Sequence, residues 1–212
     1  SAAFPNENVR RVLDALAEST FDVYIISGRN PEILRDWFTD YPFTLIAEHG
    51  SVVLRHGEEE WTSLNQATDF SWKAQILEVM HHYVGSTPGS FVEEKHSAVV
   101  WHYRQCDPEF GDWKARQMMS ELYEMVANFP VEIHHGKKIV EISSIHVNKG
   151  VALETFVNEH TYDVVLCAGD DQTDEAMFRV EGPEFIRLKV GDGDTRADYR
   201  VPDPAHLRAL LS

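Results

Sequence analysis

The chain has 212 residues, a length that fits one domain or a core carrying a small inserted domain. Hydrophobic residues make up 43% and charged residues 25%, enough apolar surface to build a core, which excludes global disorder. Nineteen basic residues against thirty-five acidic ones give a net charge of −16, which excludes a broad basic face for nucleic acid and leaves room for an anionic substrate only where basic residues converge locally. In chain order, Asn6 to Glu18 predicts a helix, because Val9, Val12, Leu13 and Leu16 recur at helical spacing. Asp22 to Ile26 is a continuous apolar run, the pattern of a strand buried on both faces. Ser27-Gly28-Arg29-Asn30 breaks it, and Pro31 opens a second helix with Ile33, Leu34, Trp37 and Phe38 on one face. Thr44–Ala47 is a further buried strand, followed by Glu48-His49-Gly50 and a strand near Ser51–Arg55. This alternation is the rhythm of a parallel sheet with helical crossovers.

From residue 66 the rhythm changes. A helix over Phe70–Tyr83 is followed by two strands, Ser90–Lys95 and Ala98–Tyr103, too close together for a crossover and therefore a hairpin. A helix over Phe110–Asn128 ends at Pro130, and two more strands, Val131–His134 and Lys138–Ile142, flank the turn at His135-Gly136-Lys137. After Ser143 the first rhythm returns: helix Lys149–His160, buried strand Asp163–Ala168, helix Thr173–Val180, strand Phe185–Val190 and helix Pro204–Leu211. The expected fold class is α/β, a doubly wound parallel-sheet core over residues 1–65 and 144–212, with an inserted α+β unit of order αββαββ over residues 66–143. Trp37, Trp72 and Trp113 sit at helical spacing among apolar neighbours and read as core. Glu58-Glu59-Glu60 reads as a solvated turn, and the pairs His81-His82 and His134-His135 lack the spacing of a structural zinc site. Two cysteines, Cys106 and Cys167, imply no disulfide framework and fit a reducing, cytoplasmic location. No apolar run approaches a membrane span, and Ser1-Ala2-Ala3-Phe4-Pro5 lacks the charged and apolar regions of a signal peptide.

In open parallel sheets, ligands sit beyond the carboxyl ends of the strands. Ser27 follows Ile26, Asp170 and Asp171 follow Ala168-Gly169, and Lys149 opens a helix behind Asn148. A hydroxyl, an ammonium and clustered carboxylates converging on one crevice suit a phosphate and a hard divalent cation such as Mg²⁺. Taken singly, Ser27-Gly28-Arg29 reads as a turn and Lys149 as a solvated helix-start lysine. Adjacent carboxylates repel unless a cation or a hydrogen-bond network holds them, so Asp170-Asp171 is the more telling pair.

Six motifs in order carry a resemblance: Ile26-Ser27-Gly28-Arg29, Ala47-Glu48-His49-Gly50, Pro88 to Lys95, Trp101-His102-Tyr103-Arg104, Asn148-Lys149-Gly150 and Gly169 to Glu175. Together they resemble the trehalose-6-phosphate phosphatases of the haloacid dehalogenase superfamily, over nearly the whole chain. The resemblance implies a Mg²⁺-dependent phosphatase that releases trehalose and phosphate. It implies that Ser27 and Lys149 bind phosphate and that Asp170, Asp171 and Asp174 form the metal site, with Asp170 the direct ligand and Asp174 behind it. It also implies that Arg29, His49, Glu93, Lys95, Arg104 and Glu141 serve the sugar phosphate, with Glu93, Lys95 and Glu141 reaching it from the inserted cap. The family's first motif, Asp-x-Asp-Gly-Thr, which supplies the nucleophile and the general acid/base, does not occur in these residues. The expectation is therefore that the aspartyl-phosphate nucleophile lies upstream of Ser1, in a longer chain that can also carry a synthase domain, and that Ser1–Ser212 alone is inactive. A non-catalytic regulatory module and a phosphatase for another sugar phosphate are the alternatives.

Overall fold

A computed structural model describes residues 6–64 and 69–212. Ser1–Pro5 and the expected junction at 65/66 lie outside the described residues. In chain order the elements are α1 (Glu7–Glu18), β1 (Tyr24–Ile26), α2 (Pro31–Phe38), β2 (Thr44–Ala47), β3 (Val52–Leu54), β4 (Thr62–Ser63), α3 (Trp72–Ser86), β5 (Phe91–Glu94), β6 (Ala98–His102), α4 (Pro108–Val126), β7 (Val131–Gly136), β8 (Ile139–Ser144), α5 (Lys149–Glu159), β9 (Val164–Gly169), β10 (Glu184–Val190), β11 (Tyr199–Val201) and α6 (Pro204–Leu211). Two 3₁₀ turns, Glu48–Gly50 and Thr173–Arg179, complete the set. Residues 6–64 with 148–212 form one compact unit and residues 69–147 the other. The second boundary falls at Val147/Asn148 rather than 143/144. Ser144 is still paired with Val131, and the Ser144 and Ile145 amides donate to the Ser97 and Pro130 carbonyls, which ties this stretch to the inserted unit. Among the described residues no helix is long and apolar enough to cross a membrane.

The first unit holds two sheets. In one, β1 and β2 are parallel, with Ile26 opposite Ile46, and β3 and β4 continue it antiparallel. In the other, β9, β10 and β11 are all parallel, in the order β11-β10-β9. Helices lie on both faces. Leu13 of α1 and Leu34 and Phe38 of α2 pack on Leu45 and Ala47, and Leu207 of α6 packs on Leu188, Val190 and Val201. On the other face α5 spans both sheets: Ala152 and Phe156 meet Ile46 and Val53, while Leu153 meets Cys167, Met177 and Phe178. The unit is the expected doubly wound core, with three corrections. The segment after β2 turns back as antiparallel β3 and adds β4, because the 3₁₀ turn at Glu48–Gly50 leaves no room for a crossover helix. β1 is half-buried rather than buried on both faces, and Val164 and Leu166 of β9 are 48% and 49% exposed, because each strand is an edge of its own sheet. β11 is an element the sequence reading lacked.

The second unit is a four-stranded antiparallel sheet in the order β5-β6-β8-β7, with α3 and α4 on one face. Trp72, Ile76, Met80, Met118 and Leu122 of the helices bury Val99, Trp101, Val140 and Ile142 of the strands. By strand alternation Glu93, His102 and Glu141 stand on the opposite face. Trp113 is corrected from core to surface, at 47% exposure. The buried residues of α4 are Gly111, Ala115, Met118, Leu122 and Val126, and Trp113 falls two residues from this stripe, on the far side of the helix.

Candidate active site

The loops that follow β1, β2 and β9 carry the sequence-predicted core residues. Ser27 continues β1, its amide donating to the Ile46 carbonyl at 2.9 Å. Its hydroxyl oxygen accepts the Arg29 amide at 3.2 Å, which leaves the hydroxyl proton free to be donated outward. The His49 imidazole packs directly against Gly28, where a Cβ would displace the ring. The turn that presents His49 is strained, since Glu48 (φ 47°), His49 (φ 61°) and Gly50 (φ 114°) all lie in the left-handed region. The backbone pins it in place, because the His49 amide donates to the Ser27 carbonyl at 2.9 Å and the Glu48 amide to the Arg29 carbonyl at 3.0 Å. Arg29 itself lies over the Trp37 ring, 4.6 Å from its centroid.

Asn148 caps α5, its side-chain oxygen accepting the Gly150 and Val151 amides at 3.0 Å each. This fixes Lys149 in the first turn, where it is buried and its Nζ sits 2.5 Å from Asp174 Oδ1 and 4.0 Å from Asp171 Oδ1. A lysine is mildly disfavoured at a helix N-terminus, and the buried Asp174 carboxylate answers that charge. The other Asp174 oxygen accepts the Asp170 and Asp171 amides at 2.8 and 3.0 Å, so both oxygens are committed. Gly169 is constrained as well, since a Cβ would strike the Asp174 carboxylate. Asp171 Oδ1 accepts the Thr173 amide and hydroxyl at 2.8 and 2.5 Å and the Asp174 amide at 3.1 Å. Burial works to raise the Asp171 carboxyl, but the Thr173 hydroxyl, the Lys149 ammonium and the two amides outweigh it and hold it below the ordinary Asp range. Among the described residues no hydrogen bond or ion pair engages the exposed Asp170 carboxylate.

Carboxylate oxygens of Asp170, Asp171 and Asp174 lie within 4.8 Å of one another. An all-oxygen donor set of this kind fits a hard cation such as Mg²⁺. Asp170 is the member free to bind it directly, while Asp174 is spent on Lys149 and the loop amides. Two further residues belong to this cluster and were not found from the sequence. Lys189, buried on β10 opposite Gly169, donates to the Asp170 carbonyl at 2.8 Å and lies 3.8 Å from Glu175 Oε1. Glu175, also buried, accepts the Arg196 amide at 2.9 Å. The available signal was a lysine between Leu188 and Val190 in an expected core strand, since burying its charge demands partners.

In the inserted unit, Glu93 faces His102 across the β5–β6 ladder at 2.8 Å, and Lys95 lies 3.8 Å from Glu141. Glu93 and Glu141 flank Val100 from either side. Arg104 is not drawn into this group. It follows β6 in a turn and donates to the Lys137 carbonyl at 3.5 Å.

With this geometry in place, the match to known sequences is decisive: the family described as trehalose-phosphatase covers residues 1–204. The chain belongs to the trehalose-phosphatase family. It is 34% identical over 231 residues to the trehalose-phosphatase of Schizosaccharomyces pombe, covering 100% of this chain and 28% of that one. It is 38% identical over 199 residues to the bifunctional trehalose-6-phosphate synthase/phosphatase of Thermoproteus tenax, covering 94% of this chain and 27% of that one. The chain thus spans little more than a quarter of the length of these relatives. Among solved structures it is similar to the C-terminal domain of C. albicans trehalose-6-phosphate phosphatase, with a TM-score of 0.77 and 31% identity over 99% of this chain and 83% of that one. In this trehalose-phosphatase-family chain the first unit is the haloacid-dehalogenase-like core and the second its cap.

Proposed function

We propose that the chain is the phosphatase part of a trehalose-6-phosphate phosphatase, a Mg²⁺-dependent cytoplasmic enzyme of trehalose biosynthesis whose longer chain can also carry a synthase domain. The observation that carries this reading is the loop after β9. There Lys149 and Asp174 are locked together beneath an uncommitted Asp170, a built arrangement of one cation and three carboxylates in a chain of this family. When bound there, Mg²⁺ would supply positive charge to a phosphoryl group. The Ser27 hydroxyl would donate to a phosphate oxygen, and Lys149, which has three donors and has committed one to Asp174, would neutralise a second. Glu93, Lys95 and Glu141 would accept and donate hydrogen bonds to sugar hydroxyls, with Arg29, His49 and Arg104 as further substrate contacts. The buried free thiols of Cys106 and Cys167 agree with a reducing compartment.

In this reading the nucleophile is an aspartate upstream of Ser1, on a parallel strand between β1 and β9. Its carboxylate attacks phosphorus, trehalose leaves with a proton from a general acid, and water hydrolyses the acyl phosphate. Support comes from the two sheet edges. Ile26 of β1 and Val165 of β9 pack against one cluster under α5, the Tyr24 and Tyr162 hydroxyls meet at 2.7 Å, and among the described residues β1 pairs only with β2 and β9 only with β10. The test is phosphate release from trehalose 6-phosphate and a panel of other sugar phosphates, with and without Mg²⁺. It compares the full-length protein with Ser1–Ser212 alone. The full-length protein should turn over trehalose 6-phosphate in preference to the panel, and the short form should not. Equal turnover by the short form would put the nucleophile within these residues. Binding of trehalose 6-phosphate without turnover by the full-length protein would make this a regulatory module instead.

A further inference from the structure

The face of the cap sheet opposite its two helices is a regular grid. Phe91 stands opposite His102, Glu93 opposite Val100, and Val100 opposite Glu141. His102 and Glu93 are thus diagonal neighbours on adjacent strands, within reach of long side chains. The His102 ring lies flat on the Phe91 ring, with centroids 4.5 Å apart and planes 6° from parallel. Its Nε2 lies 2.8 Å from Glu93 Oε2. A carboxylate only accepts, so the imidazole donates through Nε2–H. The stack fixes the plane of the imidazole and the hydrogen bond fixes one carboxylate oxygen. Among the described residues no second hydrogen bond engages Glu93, so its other oxygen keeps its acceptor capacity. A glutamate on an edge strand, left to itself, would have to be ordered at the moment of binding. Ordering it during folding removes that loss from the binding step.

We infer that His102 is a positioning residue for Glu93: held by Phe91, it fixes the carboxylate in the orientation in which it accepts a hydroxyl of the polyhydroxylated part of the substrate. Neither Phe91 nor His102 needs to touch the phosphate. This rests on the proposed role of Glu93 in sugar recognition.

The test is steady-state kinetics of the full-length protein with trehalose 6-phosphate and with p-nitrophenyl phosphate, on His102→Phe, His102→Gln, Glu93→Gln and the Phe/Gln double variant. His102→Phe keeps a ring to stack on Phe91 and loses the N–H. It should raise KM for trehalose 6-phosphate about tenfold, the size of a lost hydrogen bond to a charged group, with kcat and the aryl phosphate reaction unchanged. His102→Gln, which restores a donor, should recover most of the affinity. In the double variant, His102→Phe should cost nothing beyond Glu93→Gln, because the two act as one unit. If the Phe variant does not fold, Phe91→Leu takes its place, and the same rise in KM for trehalose 6-phosphate alone is expected. Effects that multiply in the double variant, or an equal loss on the aryl phosphate, would overturn the assignment. A wild-type enzyme that prefers another sugar phosphate would overturn the substrate named above, and the same variants would then test His102 on that ester. A wild type that hydrolyses no sugar phosphate would overturn both.

Discussion

The acidic loop of the core and the helix-free face of the cap sheet both set carboxylates against lysines, yet they are built differently. In the core, Lys149, Asp174, Lys189 and Glu175 are all buried, and the tightest contact is 2.5 Å. In the cap, Glu93 keeps 43% of its side chain exposed and the Lys95–Glu141 pair stands at 3.8 Å. Buried ion pairs are poor sources of stability, because desolvation consumes the attraction, but they tolerate almost no displacement. Solvated pairs contribute about 0–1 kcal/mol and exchange partners cheaply. The core arrangement therefore suits a fixed task, holding a phosphate and a cation at set positions. In the proposed reading of the cap, the long Lys95–Glu141 contact is the one exchanged for a sugar hydroxyl, while Glu93 stays held by His102.

Four substitutions would break or sharpen this contrast. Asp170→Asn in the full-length protein should give the largest functional loss, a fall in Mg²⁺-dependent kcat of roughly 10²–10³ or more. Its Tm should not fall, because no hydrogen bond or ion pair among the described residues engages the carboxylate and the like-charged Asp171 and Asp174 lie beside it. Unchanged turnover and Mg²⁺ dependence would remove it from the metal site. Lys149→Met should damage activity and stability together. It leaves Asp174 buried with only two amide donors, a loss of roughly 3–5 kcal/mol, seen as a Tm lower by roughly 6–20 °C in calorimetry. A Tm matching wild type would mean that the pair is not a structural unit. Glu93→Ala should cost roughly ten- to a hundredfold in kcat/KM for trehalose 6-phosphate and spare a small aryl phosphate. Equal loss on both would show that the cap face is as tightly coupled to the chemistry as the core loop.

The smallest effect is expected at Asp112. Its hydrogen bond from Lys138, at 2.7 Å, outweighs slight burial and holds its carboxyl below the ordinary value of 3.8, helped by the Lys138 charge, Tyr103 and Arg116. A carboxyl depressed in the folded state contributes stability above its unfolded pKa and loses it as pH falls through the folded value. Asp112→Asn should therefore narrow the gap between Tm at pH 7 and at pH 3. An unchanged gap would show that this exposed pair contributes nothing.

The alternation of helices and strands was legible because continuous apolar runs and capping residues mark them: Asn6, Asn30 and Asn148 each cap a helix where the sequence places its start. β4 and β11 were not legible, being two and three residues long with too few apolar positions to show a period. Ser27, Lys149, Asp170 and Asp171 could be read because they follow strands or open a helix, and Asp174 through the family resemblance alone. Lys189 and Glu175 could not, because their meaning lies in a register that sets Lys189 across from Gly169. The link between Glu93 and His102 was hidden for the same reason, since nine residues separate them in sequence and only the hairpin brings them together.

The turn at Glu48–Gly50 has a consequence for anyone selecting sturdier versions of this protein. A non-glycine residue in the left-handed region costs of order 1–3 kcal/mol, and Glu48 and His49 both sit there. Replacing either with glycine would relieve that strain while giving up the side chain's own contacts, so a screen that rewards heat resistance alone favours glycine here wherever the strain outweighs those contacts. It would thereby erase the imidazole that rests on Gly28 beside Ser27. Heat resistance and function pull in opposite directions at this turn, and a library meant to improve both should hold positions 48 and 49 fixed.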